Sequence, residues 1–520
     1  MSPTSSFATG IHHVTLITRR VQDNVDFYVG FLGLHLVKRT GGFEDAEQLH
    51  LFYGNAQADP GTLVTFLVWE DGAPGRVGNG QVSEIAFSVP RNAIGEWMTR
   101  AITQRVPVEG PLHEFGETVL RLKDPDGIIV KLVGSGPAAP TGEGSADLAL
   151  QRLRAVTILT ETPEETAAFV QRFGYRPGPV AGAMQRMLSD TDAVDIRDAS
   201  GYVPGIPGTG TADHVAFRAA DVAVVRAAEA ELSRRNSSTT NLHDRKYFTS
   251  LYVREPGGTL IELATDGPGF ALDEAPGRLG ETLFVPPGDE ARAEDLKVLL
   301  PQFSMPGEPR MPRRDLPFVH RFFVPDEPSD ETIVLLHGSG GNEADLMPLA
   351  HRIAPQAMLF GVRGRSVEEG VPRWFRRFSS TSFDQEDIRA EAEAFAAFVE
   401  GAVSGYRLDP DRLFFLGLSN GANFLAALMA LHPGLIRRAI LLRPMLVLKD
   451  APGADLEGSS VLMVSGRQDL AAPSARRLEA WLKESGADLT SHFIDAGHGL
   501  SDQDVPLAQA WMSGGAAFQK

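Results

Sequence analysis

The sequence predicts an α+β chain of four repeated strand–helix–strands modules in two pairs, followed by an α/β domain with a mostly parallel sheet. Two observations lead there. A unit of about fifty residues recurs four times between residues 11 and 264, and each copy is too small to bury its own apolar face. From Pro317 onward the pattern changes to apolar strands alternating with apolar helices, which is how a parallel sheet covered on both faces is written.

The first module opens on IHHVTLIT (11–18), an alternating strand signal. It continues into Val21 to Leu34, with apolar residues at helical spacing and a closing Gly33, and then into the strand-like runs LHLFYG (49–54) and TLVTFLVW (62–69). The second, residues 81–133, opens with Val82 to Phe87 and closes with DPDGIIVKLV (124–133). The third, 153–204, opens with LRAVTILT, close kin to IHHVTLIT. The fourth, 213–264, opens with DHVAF and closes with EPGGTLIELA. Pairing in chain order gives 8–135 as one module pair and 151–266 as the other. The Gly-, Pro-, Ala- and Ser-rich stretch 134–150 reads as the connection between them. A longer Pro-rich passage, 267–316, ends this half and leads to the domain at 317–520.

The modules differ at their polar slots. The equivalent first-strand position reads His13, Glu84, Ala155 and His214, and aligning the closing strands sets Lys131 opposite Glu262. Glu262 lies in an apolar run, where a carboxylate needs a basic side chain, a proton or a metal. Only His13, His214 and Glu262 combine metal-ligand chemistry. Two imidazoles and a carboxylate on rigid strands make the facial triad that holds iron(II) or manganese(II), with positions left for substrate and dioxygen. Glu84 with Lys131 reads as an ion pair standing where a site would otherwise be.

The segments IHHVTLITRRVQDNVDFYVGFLGLHLVKRT (11–40) and DRKYFTSLYVREPGGTLIELATDGPGF (244–270) resemble the vicinal-oxygen-chelate superfamily, whose βαβββ modules build metal cups. Within it they resemble ring-cleaving dioxygenases acting on hydroquinones, over roughly residues 8–315. The resemblance implies Fe(II), or Mn(II), on His13, His214 and Glu262, with a small aromatic diol and dioxygen as substrates. It sets His12, Thr15, Arg245 and Tyr252 at positions that support the metal ligands or handle substrate. Tyr252 or His12 would donate or accept the proton, and Arg245 would balance charge on a reduced oxygen species. Asp213 departs from the His found there in some relatives. Other readings stand beside this one. Tyr252 equally suits a core, and Arg245 an ion pair with Asp244 or Glu262. The alternatives for the modules are a glyoxalase-type isomerase or lyase, or a quinone-binding protein, and the Arg245/Tyr252 segment favours the dioxygenase.

In the last domain Gly417-Leu418-Ser419-Asn420-Gly421 fits G-x-S-x-G between an apolar strand and an apolar helix, the context of a nucleophile elbow. Partners follow in the order Ser, acid, His: Asp469 after the strand SSVLMVSG, and His498 after SHFI. His498 would take the proton of Ser419 and Asp469 would fix its tautomer, with Asp495 as the competing, poorly placed acid. The N–H groups of Asn420 and of Ser339, in the early glycine-rich loop, would form the oxyanion hole. HGSGGNEADL (337–346) and GLSNGANFL (417–425) resemble the carboxylesterase/phospholipase and dienelactone-hydrolase-like branch of the α/β-hydrolases over residues 317–515. Ser419 in place of Cys implies an esterase or lactonase acting on a small ester. Trp374 and Phe375 fit an acyl pocket, the surface or the core.

Composition narrows the rest. There are no cysteines, which excludes disulfides, thiolate catalysis and Cys-based metal clusters. Forty-nine Lys plus Arg against 67 Asp plus Glu, net −18, argues against nucleic acid or an anionic membrane as the main partner. No signal pattern or membrane-length apolar run is present, so a cytoplasmic location is expected. A homo-oligomer is left open.

Overall fold

The computed structural model describes residues 10–137, 150–234, 241–311 and 314–515. The proposed connection at 134–150 falls mostly outside them. The chain divides into two compact units: Met1–Glu290 with Leu300–Arg310, and Ala291–Leu299 with Met311–Lys520. The passage 267–316 is therefore shared, because the helix Ala293–Leu299 belongs with the second unit, where Val298 enters the core. Among the described residues no helix is long and apolar enough to cross a membrane.

The first unit contains the four expected modules, but they do not pair in chain order. One sheet of nine strands runs Asn241–Asp244, Phe248–Arg254, Leu260–Pro268, Ala212–Ala219, Ile11–Thr18, Leu63–Val68, Leu49–Gly54, His35–Gly41 and Leu283–Phe284. It joins the first module to the fourth. The second sheet, of eight strands, joins the third to the second through Arg152–Thr160 and Gln81–Pro90. In each sheet the opening strands of two modules lie antiparallel, Ile11 opposite Phe217 and Val82 opposite Ile158. The expected pairs 8–135 and 151–266 are thus replaced by an outer pair and an inner pair. The repeat itself carries no information about which copies meet, since all four opening strands present the same apolar face.

The opening strand Ile11–Thr18 is buried along its whole length, as expected of a strand with neighbours on both edges and layers on both faces. The helix after it is short. Val21–Val25 is α-helical, and Asp26–Phe31 widens so that Leu32 N donates to Phe27 O five residues back. The strand His35–Gly41 is not expected from its Lys38-Arg39 pair. It forms by pairing with Leu49–Gly54, and the completely buried Lys38 is tolerated because its ammonium meets Asp273 at 2.8 Å and Glu274 at 2.5 Å.

The second unit is an α/β-hydrolase fold. Its seven-stranded sheet runs His320–Phe323, Met358–Val362, Thr332–Leu336, Leu413–Leu418, Arg438–Leu442, Ser460–Gly466 and Asp488–Ile494, and only the first strand is antiparallel. Apolar cores lie on both faces. Trp374 and Phe375 belong to one of them, fully buried, with Trp374 stacked on Phe424 at 5.3 Å. The long helix Gln385–Tyr406 is capped by Asp384, whose carboxylate accepts from the N–H groups of Glu386 and Asp387.

Candidate functional site

Three adjacent strands of the nine-stranded sheet converge His13, His214 and Glu262. The register sets Thr15 opposite His214 and Glu262 beside Ala216. The two imidazole Nε2 atoms stand 3.4 Å apart, and Glu262 Oε2 lies 2.7 Å from that of His214 and 3.3 Å from that of His13. All three side chains are buried. Glu262 Oε1 accepts from Ser250 Oγ, and the completely buried Oε2 has only the two imidazole Nε2 atoms before it. A buried carboxylate oxygen converging with two ring nitrogens is a donor set that a divalent cation would satisfy.

The remaining ring nitrogens are occupied. His214 Nδ1 lies 2.7 Å from Asp213 Oδ2, and His13 Nδ1 lies 2.9 Å from His12 Nδ1, so both Nε2 atoms face inward. Burial disfavours the imidazolium of His214, but Glu262 and Asp213 outweigh it and bring its pKa to about 9. Burial alone would raise Glu262, and the two histidines instead hold it well below the usual carboxylate range. A divalent cation would take the place of the His214 proton, and a donor set of two imidazoles and a carboxylate fits iron(II) or manganese(II).

A cavity of about 650 Å³ opens onto the triad, lined among others by Thr15, His50, Arg245 and Tyr252. Tyr252 is in register with Glu262 and meets the His214 ring edge-on at 5.4 Å. Burial and then Glu262 push its hydroxyl pKa up, which keeps it protonated. Arg245 pairs with Glu44 at 3.0 Å, not with Asp244 or Glu262, and its guanidinium lies 5.6 Å over the Tyr252 ring. His12 does not line the cavity. A register irregularity between Ile11 and His13 lets its ring turn behind His13, and burial first, then His13, lowers its pKa to about 3. Its Nδ1 is instead turned to His13. Asp213, Ser250, His50 and Thr65 escape a reading by residue type; the last two join Thr15 in the chain His50–Thr65–Thr15–His214, each link 2.9 Å. The signals available for them were adjacency to His214 for Asp213, and the same strand face as Tyr252 for Ser250.

The second sheet repeats this geometry with other residues. Ala86 stands beside Lys131 as Ala216 stands beside Glu262, and Thr157 opposes Glu84 as Thr15 opposes His214. Lys131 Nζ lies 2.6 Å from Glu84 and 2.6 Å from Glu114, Arg121 also donates to Glu84, and Thr157 completes the set. Every charge has a partner and no carboxylate is left over for a cation.

In the second unit Ser419 Oγ lies 2.8 Å from His498 Nε2, and His498 Nδ1 lies 2.7 Å from Asp469 Oδ2. The other Asp469 oxygen accepts from Ala471 N, while Asp495 accepts from Gln468. Ser419 sits between strand Leu413–Leu418 and helix Asn420–Leu431 at φ 51°, ψ −111°. Both flanking glycines are needed for this turn. A Cβ on Gly421 would stand 2.1 Å from Leu336 O, and one on Gly417 2.6 Å from Ala422 N. The Gly338–Ser339 loop passes close by, a Cβ on Gly338 falling 3.8 Å from that of Ser419. Asn420 opens the helix with its side chain accepting from Trp374 N, and Ser339 Oγ accepts from Arg373 Nη1.

Comparison with known proteins bears on both units. The family description Glyoxalase/Bleomycin resistance protein/Dioxygenase superfamily matches residues 10–132. MhqO of Bacillus subtilis, provisionally named a ring-cleaving dioxygenase, is 35% identical over 285 residues, covering 53% of this chain and 91% of its own. The chain belongs to this superfamily. Another member, the chlorohydroquinone/hydroquinone 1,2-dioxygenase of Sphingobium indicum, is 32% identical over 305 residues, 55% of this chain and 94% of that one. The superfamily accounts for the first unit alone. The rest matches MhqD of B. subtilis, provisionally named a hydrolase, at 34% identity over 185 residues, 35% of this chain and 92% of that one.

Proposed function

We propose that the chain is bifunctional, an iron(II)-dependent dioxygenase that opens the ring of a hydroquinone-type diol, joined to a serine hydrolase of small esters or lactones. The observation that carries the first half is the buried Glu262 Oε2 converging with the Nε2 atoms of His13 and His214, two residues that line the cavity. Relatives named for ring cleavage and for hydroquinone support the substrate class. His13, His214 and Glu262 would hold the metal, which supplies the redox chemistry toward dioxygen and a Lewis-acid seat for the diol. Asp213 and His12 hold the two imidazoles with their Nε2 lone pairs inward. Ser250 holds the carboxylate. Tyr252 stays protonated and presents its hydroxyl to the cavity as a proton donor, while Arg245 offers positive charge beside it. Phe52 and Phe248 give the cavity apolar walls suited to an aromatic ring.

The second half rests on the continuous contact Ser419–His498–Asp469. His498 takes the Ser419 proton as Oγ attacks the carbonyl carbon, then returns it to the leaving alcohol. Water deacylates the serine by the same route. Asp469 keeps the His498 proton on Nδ1, and the N–H groups of Asn420 and Ser339 receive the oxyanion.

One preparation tests both halves. Protein loaded with iron(II) under anaerobic conditions should consume oxygen on addition of hydroquinone or methylhydroquinone, with loss of ring absorbance, and E262Q should not. It should also hydrolyse p-nitrophenyl acetate, and S419A should not. Absence of oxygen uptake across a panel of diols overturns the dioxygenase assignment; ester turnover that survives in S419A overturns the hydrolase.

A further inference from the structure

Apart from Asp469 and Ser419 on its two ring nitrogens, little holds His498. Its side chain is 55% exposed and it stands between Gly497 and Gly499. A Cβ on either glycine would meet nothing within 4 Å, so crowding does not explain their presence, and the backbone they leave is loose. Upstream, the loop is tied by Arg467 N on Ile494 O and Gln468 N on Ala496 O. From Gly497 onward its anchor is a different group, the guanidinium of Arg443.

Arg443 follows the strand Arg438–Leu442 and is 1% exposed. Its Nε lies 3.3 Å from Gly497 O and 3.2 Å from Gly499 O, and its Nη2 donates to Gly499 O at 2.9 Å. Nη1 and Nη2 each meet one oxygen of Asp504 at 2.8 Å, and Nη1 also reaches Val464 O at 3.4 Å. Asp504, fully buried, accepts from Ser501 N and Ser501 Oγ, which closes the far side of the loop. Arg443 holds a φ of 54°, a conformation uncommon outside glycine, and its own N–H is fixed on Val464 O at 2.8 Å. The residue before it, Leu442, accepts the N–H of Ser419 at 2.8 Å. One strand end thus grips the nucleophile through a carbonyl and the base through a guanidinium.

We infer that the buried Arg443–Asp504 pair is a positioning device, holding the glycine-flanked loop so that His498 Nε2 stays on Ser419 Oγ. The inference rests on the serine-hydrolase reading. A planar fork with five donors suits the task, because it spans two carbonyls and a carboxylate at once, which an ammonium does not. A misplacement of about 1 Å in a catalytic group costs on the order of a hundredfold in rate.

The test uses the full chain and p-nitrophenyl acetate, with variants R443K, D504N and S501A. R443K and D504N should lose tenfold or more in kcat with KM within twofold of the parent, while circular dichroism shows them folded at the assay temperature. Added imidazole should recover a larger fraction of activity in them than in the parent, because a free base replaces one that is present but misplaced. S501A, the mildest change, should lose about threefold in kcat and carries the test should the other two fail to fold. Folded variants with kcat within twofold of the parent, or with the loss in KM, overturn the inference. A parent without Ser419-dependent turnover fails earlier, on the hydrolase reading itself.

Discussion

Lys131→Met tests whether the second cup is a structural replacement for a metal site. Lys131 is 4% exposed and holds Glu84, 8% exposed, and Glu114, 18% exposed, at 2.6 Å each. Removing one partner of a buried ion pair costs about 3–5 kcal/mol, mainly because the other charge is left uncompensated. Here Glu84 keeps Arg121 and Thr157, and Glu114 can turn toward water, so the lower end, about 3 kcal/mol, is expected. In a unit of this size that corresponds to a fall of roughly 6 °C in melting temperature. The double variant E84Q/K131M removes the stranded charge as well and should be less destabilised than K131M alone. Calorimetry resolving the transition of the first unit measures both, and metal content of the loaded protein should stay at its parental level. A loss below about 1 kcal/mol in K131M, or a double variant as destabilised as K131M or more, would refute the argument.

Three further outcomes are expected. S250A, which strips Glu262 Oε1 of its donor, should weaken metal binding about 10- to 100-fold in a chelator competition. G421A should abolish labelling of Ser419 by a fluorophosphonate and destabilise the second unit by about 3 kcal/mol, since its Cβ would collide with Leu336 O. Asp124 concerns pH: burial raises its pKa from the ordinary 3.8 to about 7, despite the N–H groups of Ile128 and Asp126 and the Tyr28 hydroxyl on its oxygens. The folded state then holds a proton that the unfolded chain has released. Its contribution is complete below pH 4 and is lost as pH rises through 7, a fall of about 4 kcal/mol that D124N should remove from a urea-denaturation series.

Much of this was legible because chemistry and periodicity coincide. Glu262 in an apolar strand, two histidines at one repeat position, and a serine between two glycines each break a local rule in a way that names a purpose. What was not legible depends on distant partners. The strand His35–Gly41 was hidden by Lys38, whose burial is made tolerable by Asp273 and Glu274 from the end of the unit. Arg443 reads as an unremarkable charge in a Leu-Leu-Arg-Pro run, and its meaning comes from Asp504 and two carbonyls. The pairing of modules escaped for the same reason, since each opening strand fits any of the others.

That pairing also sets an order of events. His13 and His214 are 201 residues apart in sequence, yet their strands are neighbours in one sheet. The inner modules, two and three, form their sheet from a continuous stretch, while Ile11–Thr18 has its edge uncovered until Ala212–Ala219 has been made. Contacts of such long separation form late. Synthesis from the N-terminus therefore exposes an apolar strand for most of the time the unit takes to appear, a period in which it is open to pairing with other chains. His13 and His214 are brought together by the step that ends this exposure. Half of the unit, cut anywhere between its second and third modules, would contain one of the two histidines and no working cup.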